Sequence, residues 1–130
     1  MAERIVKPWG WSQEVYRDEL TRVVRIHVEP GGFCSVHKHE RQNNLFVLLS
    51  GELDLFSSDT WDGMEFWNSQ KPWSIHNTIE QGWYVESGRY HQFESLAGCE
   101  ALEIYDSVDG TPPDENDIVR FSEGGILKSS

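Results

Sequence analysis

The sequence contains few cysteines, few basic residues and no long apolar segment. No apolar run among its 130 residues approaches the roughly 20 residues that a membrane-spanning helix needs. The first six residues lack the basic and then apolar pattern of a secretion signal. Cys34 and Cys99 are the only cysteines, so we expect two free thiols in a reducing compartment. These absences predict a cytoplasmic protein that does not enter a membrane.

The scarcity of basic residues bears on the binding partners. Lysine and arginine number 11 against 22 acidic residues, which gives a net charge of −11, and the whole excess lies after Pro30. A surface with this charge repels phosphate backbones and anionic lipid head groups. We therefore expect neither nucleic-acid nor membrane-surface binding. A small anionic ligand, held locally by a metal ion or an arginine, is compatible with this charge.

Helical periodicity is also scarce, and short strand signals separated by turns take its place. Only Ser12 to Leu20 has room for a turn or two of helix, and its apolar spacing is poor. Six Trp, six Phe and four Tyr favour strands as well, because aromatic residues pack well on a pleated surface. This series predicts one all-β domain, an antiparallel sandwich or barrel. The predicted strands are Thr21–Val28, Phe33–His39, Leu45–Leu49, Glu52–Phe56, Trp73–Ile79, Gly82–Glu86, His91–Glu94 and Glu100–Tyr105.

These strands place the barrel at residues 21–106, between an N-terminal arm at 1–20 and a C-terminal arm at 107–130. Leu45–Leu49 is apolar at every position, which is typical of a strand covered on both faces. A chain of this length has few elements to cover the outside of a barrel. We therefore predict a homodimer in which another subunit is the cover.

The segment Ser57–Lys71 is polar and rich in turn residues, so we expect a loop or a distorted hairpin there. Several tryptophans in and near it are candidates for stacking on a sugar. Ordinary packing in the core or at a subunit interface is the favoured alternative for them. These residues are Trp61, Trp67, Trp73 and Trp83.

Two histidines lie at alternate positions of one predicted strand. Side chains at i and i+2 share a face, so His37 and His39 project together, roughly 6–7 Å apart. That spacing lets two imidazole nitrogens reach one metal ion. His91, just after a predicted turn, is the candidate third ligand. Taken alone, His37 and His39 are as compatible with hydrogen-bonded or surface histidines, which is how we interpret His27 and His76.

The residues around these histidines complete a longer motif. Gly31 is followed after five residues by His37-Lys38-His39, after four more by Asn44, and after six more by Gly51. This pattern resembles the first motif of the cupin superfamily, with Asn44 where that family has a glutamate. The second cupin motif is matched at Gly88 and His91. It differs at three further positions, Gly82, Glu86 and Ser95.

Four further segments, in order over about residues 5–123, resemble the cupin domain of type II mannose-6-phosphate isomerases. One departure is Glu123-Gly124-Gly125, which stands where that family has Tyr-Gly-Arg. The matching segments are Lys7-Pro8-Trp9-Gly10-Trp11, Val28-Glu29-Pro30-Gly31-Gly32, Phe46-Val47-Leu48-Leu49-Ser50-Gly51 and Glu115-Asn116-Asp117-Ile118-Val119-Arg120-Phe121.

The resemblance implies a jelly-roll barrel, a double-stranded β-helix, that holds one divalent metal ion. Zn²⁺, Ni²⁺, Fe²⁺ and Mn²⁺ are all candidates, and a neutral amide in place of a carboxylate favours ions that prefer imidazole over Mn²⁺. Gln42 and Asn43 are the alternatives for the amide ligand. The implied ligands are His37, His39, His91 and Asn44.

The resemblance also implies a ligand in the barrel, a carbohydrate or a sugar phosphate. In an isomerase-like reaction, Glu103 or Glu94 would move a proton, and Arg89 with Lys38 would meet a phosphate. Alternation places Glu94 on the face opposite His91, and Glu103 has a structural hydrogen bond or ion pair as its alternative role. Two other functions stay open. One is a three-histidine non-haem iron dioxygenase, with Tyr84, Tyr90 or Tyr105 orienting the substrate, and the other is a non-catalytic module that binds a sugar or an anion.

Overall fold

The computed structural model describes residues 2–76 and 82–127, and strands dominate this part of the chain. The expected all-β class is therefore confirmed. In chain order the elements are β1 (Ile5–Lys7), β2 (Gly10–Arg17), β3 (Thr21–Val28), β4 (Gly32–Phe33), β5 (His37–Lys38), β6 (Gln42–Ser58), α1 (Gly63–Asn68), β7 (Trp73–His76), β8 (Gly82–Val85), β9 (Tyr90–Ser95), β10 (Cys99–Ser107), β11 (Val119–Arg120) and β12 (Gly125–Ile126).

The long strand β6 joins the two halves of a curled sheet. Its first part pairs antiparallel with β10 and β8, and its second part pairs antiparallel with β9 and β7. From β10 the sheet continues through β3 and β2 to β1, and from β9 it continues to β4 and β12, with β5 and β11 alongside. Gly51 lies between the two parts with a φ of 86°, where any Cβ would collide with the backbone of Gly98 and Cys99. Buried residues of both halves form one hydrophobic core, so the sheet encloses a common interior.

The core follows the alternation of the strands. Val24, Ile26 and Val28 of β3 point inward, and so do Phe46 and Leu48 of β6; none of these five is more than 3% exposed. On β10 the inward positions include Glu103 and Tyr105, which are buried as well. The interior therefore receives apolar side chains at one level and polar side chains at another.

The N-terminal segment differs from its prediction. The turn or two of helix considered for Ser12–Leu20 is absent from the structure, since β2 pairs antiparallel with β3 over its whole length. β1 then pairs with β2, so the N-terminal residues extend the sheet. Ser12 lies opposite Ile26 and is buried, while Val15 and Tyr16 beyond it are exposed. An irregular register between Glu14 and Tyr16 explains why no clear strand alternation was visible in this sequence.

Most other strands lie where the sequence predicts them, with merged or split ends. β3 has the predicted bounds, while Leu45–Leu49 and Glu52–Phe56 are parts of the single strand β6. The predicted strand Phe33–His39 is divided into β4 and β5. β7 covers the first part of Trp73–Ile79, and residues 77–79 lie outside the described residues.

One expectation outside the core needs correction, since the segment predicted as a loop or hairpin contains helix α1, whose Trp67 is 1% exposed. In Leu45–Leu49 this chain covers one face: Phe46 and Leu48 are fully buried, while Leu49 on the other face is 37% exposed. No helix in the described ranges is long and apolar enough to cross a membrane.

Candidate metal centre

Three histidines converge from two neighbouring strands. β5 and β9 pair antiparallel, which places His37 directly opposite His91, and His39 follows His37 on the same face. The ring centroids lie 4.3 to 5.1 Å apart. One ring nitrogen of each histidine lies within 4.8 Å of the other two. The predicted convergence of these three histidines is therefore present in the structure.

Hydrogen bonds to the backbone fix the orientation of each ring. The Nδ1–H of His37 donates to the Ser35 carbonyl at 2.8 Å, that of His39 to the Asp117 carbonyl at 2.7 Å, and that of His91 to the Arg89 carbonyl at 3.2 Å. A ring that donates through Nδ1 keeps its lone pair on Nε2. The buried Nε2 atoms of His39 and His91 have no hydrogen-bond partner among the described residues. This arrangement is the one that metal-binding histidines need.

The surroundings keep these rings uncharged. Burial, followed by the neighbouring His91 and His39, holds the pKa of His37 well below its usual value. Burial is also the main cause that lowers the pKa of His39, and it lowers the pKa of His91 to about 3. All three imidazoles are therefore neutral near pH 7, and their lone pairs are available without the release of a proton.

The amide residues separate into one outward and two inward side chains. Asn43 points away from the interior, where its Oδ1 accepts from the Ser87 N–H at 2.9 Å. Gln42 and Asn44 are buried, and the oxygens Gln42 Oε1 and Asn44 Oδ1 have no hydrogen-bond partner in the described part of the chain, whereas the Asn44 side chain also interacts with the Glu103 carboxyl group. Such orphaned polar atoms, beside three free imidazole lone pairs, fit a bound divalent ion, since a ligand would satisfy them. Gln42 and Asn44 are thus the two amide candidates, and Asn43 is not.

A cleft of about 400 Å³ leads to the histidines. His37, His39 and Gln42 line it, together with Glu103 and Tyr105. The Tyr105 hydroxyl donates to Glu103 Oε2 at 2.7 Å, and the ring centroids of Tyr105 and His39 lie 5.4 Å apart. Burial raises the pKa of the Glu103 carboxyl, against the lowering effect of that hydrogen bond and of Arg22. The cleft therefore offers a buried carboxyl group with an elevated pKa beside the histidines.

The other predicted site residues lie elsewhere. Glu94 is on the outer face of β9, between the inward Phe93 and Ser95, where burial and Asp54 raise the pKa of its carboxyl. Arg89 donates to Ser57 Oγ at 3.0 Å and lines a separate cleft. Neither residue lines the cleft that leads to the histidines.

Lys38 also points outward, over the ring of Tyr90 at 5.3 Å. His27 contacts Glu100 and Glu29 at the surface, as expected for a histidine without a ligand role. Trp61 and Trp67 form an aromatic cluster with Tyr90 and Phe121, and Trp83 packs against the core. Cys34 and Cys99 are both buried and free.

Sequence analysis missed three cations of the cleft. Lys7, Arg22 and Arg120 all line it. Lys7 and Arg120 belong to segments that resemble the isomerases, but nothing in their spacing shows that both ends of the chain meet beside the histidines. Asp117 from the C-terminal segment also anchors this region, because its carboxylate accepts from the backbone N–H groups of Glu40 and Arg41 at 3.0 and 2.8 Å.

The chain has the cupin fold, and its three buried histidines lie inside the curled sheet. Solved structures with the same fold include an oxalate decarboxylase from Bacillus subtilis (TM-score 0.72, 18% identity, covering 92% of this chain and 30% of that one) and one from Lactobacillus farciminis in complex with formate (TM-score 0.70, 20% identity, 92% and 34%). At these identities the likeness concerns the fold alone. No family model matches the chain.

Among curated proteins, the chain is similar to mannose-1-phosphate guanylyltransferases and to a xanthan biosynthesis protein. It is 29% identical to a mannose-1-phosphate guanylyltransferase of Escherichia coli over 119 residues, which are 92% of this chain and 22% of that protein. It is 24% identical to the xanthan biosynthesis protein XanB of Xanthomonas campestris pv. campestris over 120 residues, 92% of this chain and 23% of that protein. The chain thus spans about a fifth of the length of the curated relatives it matches.

Proposed function

We propose that this chain is a metal-binding cupin that takes a carbohydrate or a sugar phosphate in the cleft beside its histidines. The observation that carries the proposal is the set of three neutral imidazoles, each anchored through Nδ1, two of which (His37 and His39) line a cleft of about 400 Å³. A cleft of this size suits a small molecule. The similarity to mannose-1-phosphate guanylyltransferases supports a sugar phosphate as the class of ligand.

The donor set favours an ion that prefers imidazole. When bound, such an ion would act as a Lewis acid toward a carbonyl or hydroxyl oxygen of the ligand. His37, His39 and His91 would hold it, with Asn44 or Gln42 as the neutral fourth donor. We expect Zn²⁺, Ni²⁺ or Fe²⁺ in preference to Mn²⁺. Metal analysis of the purified protein, with His37→Ala as the comparison, tests this assignment; equal metal content in both would contradict it.

An isomerase-like reaction is the catalytic form of the proposal. Glu103 would take a proton from the carbon beside the sugar carbonyl and return it to the neighbouring carbon, while a hydroxyl proton moves to the former carbonyl oxygen. This double transfer interconverts an aldose and a ketose without any net gain or loss of atoms. A buried carboxyl group with a raised pKa suits both steps, because it accepts and releases protons closer to neutral pH. Tyr105 would hold the carboxyl group in place.

Hydrogen exchange with solvent tests this reaction. We expect the metal-loaded protein in D₂O to introduce deuterium into a hexose phosphate, and Glu103→Gln to lose at least about a hundredfold of that rate. The substitution keeps an oxygen acceptor for Tyr105, so metal content should not change. Glu19→Gln, at an exposed position, is the charge-matched control. Loss of exchange in Glu94→Gln but not in Glu103→Gln would contradict the assignment to Glu103.

An iron dioxygenase is the second candidate function, and one observation favours it. The cluster of candidate ligands contains three histidines and no carboxylate within the described residues. Iron in the purified protein together with substrate-dependent oxygen uptake would support this function. Zinc or nickel without oxygen uptake would contradict it. Sugar binding with neither exchange nor oxygen uptake would instead indicate a non-catalytic binding module.

The exposed face of the first half of the sheet supports a homodimer. Five apolar side chains lie beside one another in one row across β8, β6, β10, β3 and β2, and Val47 and Leu102 lie in the neighbouring row. These apolar side chains point away from the core and are half-buried or exposed, which suits a subunit interface. Light scattering should give twice the 15.0 kDa of one chain, and a single-chain mass would contradict the dimer. The row consists of Tyr84, Leu45, Ile104, Val23 and Tyr16.

The two cysteines support a cytoplasmic location. Cys34 and Cys99 are buried and unpaired, and burial raises the pKa of both thiols, that of Cys99 to about 11. A reducing compartment keeps such thiols free.

A further inference from the structure

Two cations of the cleft have no partner in the described part of the chain. Lys7 and Arg120 both line the cleft, and neither side chain makes a hydrogen bond or an ion pair with the described residues. The third cation, Arg22, is engaged with Glu14 at 3.1 Å. Lys7 and Arg120 therefore keep their positive charge and their donor groups available in a protein whose net charge is −11.

The two cations lie on separate segments but act on the same site. Arg120 of β11 lies opposite His37 of β5 in the strand register. Burial is the main cause that lowers the pKa of His37 and His39, and the charge of Arg120 adds to it. Burial raises the pKa of Glu103, and the charge of Lys7 opposes that rise. The N-terminal and C-terminal segments therefore bring one cation each to the walls of the cleft that ends at the histidines.

The acidic residues of the cleft do not neutralise this pair. Glu103 accepts from Tyr105 and has a raised pKa, and Glu115 lies 3.4 Å from Arg17. Glu123, the remaining carboxylate of the lining, forms no ion pair with Lys7 or Arg120. A guanidinium group binds two oxygens of a phosphate side by side, and an ammonium group supplies a compact charge. Together they match the double negative charge of a phosphate monoester better than the single charge of a carboxylate.

We propose that Lys7 and Arg120 form an anion subsite for the phosphate group of a phosphate monoester, whose hydroxyl-bearing part faces the three-histidine centre. The inference rests on the proposed function for the identity of the whole ligand. The subsite itself does not require the metal, because both cations belong to the chain.

Calorimetric titration with inorganic phosphate tests the subsite in the zinc-loaded and the metal-free protein. We expect binding in both forms, weakened about ten- to a hundredfold in Lys7→Met and in Arg120→Met, since each removes charge-assisted hydrogen bonds. Lys7→Arg should retain binding. Arg25→Met removes one positive charge from the outer face of the sheet and should leave phosphate binding unchanged.

Three outcomes would overturn the subsite. The first is phosphate binding that requires zinc and is not weakened by Lys7→Met or Arg120→Met. The second is equal weakening of phosphate binding in Arg25→Met. The third is tighter binding of acetate than of phosphate. Metal content is measured on the same samples. A protein that binds phosphate through Lys7 and Arg120 but takes up no metal would contradict the proposed metal centre and leave the subsite standing.

Discussion

His91 and Phe93 are two residues apart on the same face of β9, and both are buried, at 0% and 2% exposure. Phe93 meets only packing partners, including the edge-on ring of Trp9 at a centroid distance of 5.0 Å. His91 meets two other imidazoles and leaves its Nε2 without a hydrogen-bond partner among the described residues. Equal burial thus produces apolar packing around Phe93 and an unpaired ring nitrogen at His91.

The difference teaches that the buried polar side chains around His91 (the polar level) are kept in place by the apolar core around Phe93 (the apolar level). Buried polar atoms without partners cost free energy, about 1–3 kcal/mol for each group. The apolar level, with Ile26, Leu48, Leu53 and Leu55 at no more than 1% exposure, is the part that offsets this cost. Substitutions at the two levels should therefore have opposite consequences for stability and for binding.

Phe93→Ala is expected to have the largest effect on stability. It removes a buried aromatic ring from the apolar level and should lower the free energy of unfolding by about 3–5 kcal/mol. Denaturant unfolding of the metal-free protein measures this change. Leu96→Ala, at a side chain that is 61% exposed, is the matched control and should stay within about 0.5 kcal/mol. A loss below 1 kcal/mol for Phe93→Ala would break the comparison.

Asn44→Asp sharpens the comparison at the polar level. A carboxylate placed at a fully buried position should destabilise the metal-free protein by about 1–3 kcal/mol. The same carboxylate should strengthen binding of Mn²⁺ relative to Zn²⁺, since Mn²⁺ prefers oxygen ligands. Competitive metal titration measures the second effect. An unchanged preference would show that Asn44 does not reach the ion, and Gln42→Glu then tests the remaining amide.

The pH dependence of stability tests the uncharged state of the buried histidines. The pKa values of the three buried histidines are lowered in the folded protein, so the unfolded chain binds more protons below about pH 6.5. Stability of the metal-free protein should then fall as the pH decreases from about 6.5 toward the folded pKa values, by at most about 1.4 kcal/mol per pH unit for each histidine. The raised pKa of Glu103 acts in the opposite direction.

Urea unfolding of the metal-free protein between pH 7 and pH 5 measures this slope. His91→Gln removes one titrating ring and should make it shallower, whereas His27→Gln, at a surface histidine whose pKa Glu100 raises, should not. A slope that does not change in His91→Gln would contradict the buried, neutral state of this ring.

Strands that alternate cleanly were predictable, and those that depend on distant pairing were not. Thr21–Val28 alternates and is found with the predicted bounds. Gly10–Arg17 carries no such pattern, because an irregular register interrupts it and its outer end is exposed. Its strand conformation follows from pairing with β3, which a local pattern does not contain.

By itself, the sequence determined the all-β class, the inward direction of His37 and His39, and the third histidine that joins them, because strand alternation and motif spacing are local properties. Only the tertiary structure decided which buried residues meet. It directed Asn43 outward and Asn44 inward, kept Glu94 and Arg89 away from the cleft, and brought Lys7 and Arg120 to its walls. The physical reason is that the curled sheet pairs β11 with β5 and β12 with β4, segments more than 80 positions apart, and such pairing depends on the packing of the whole barrel.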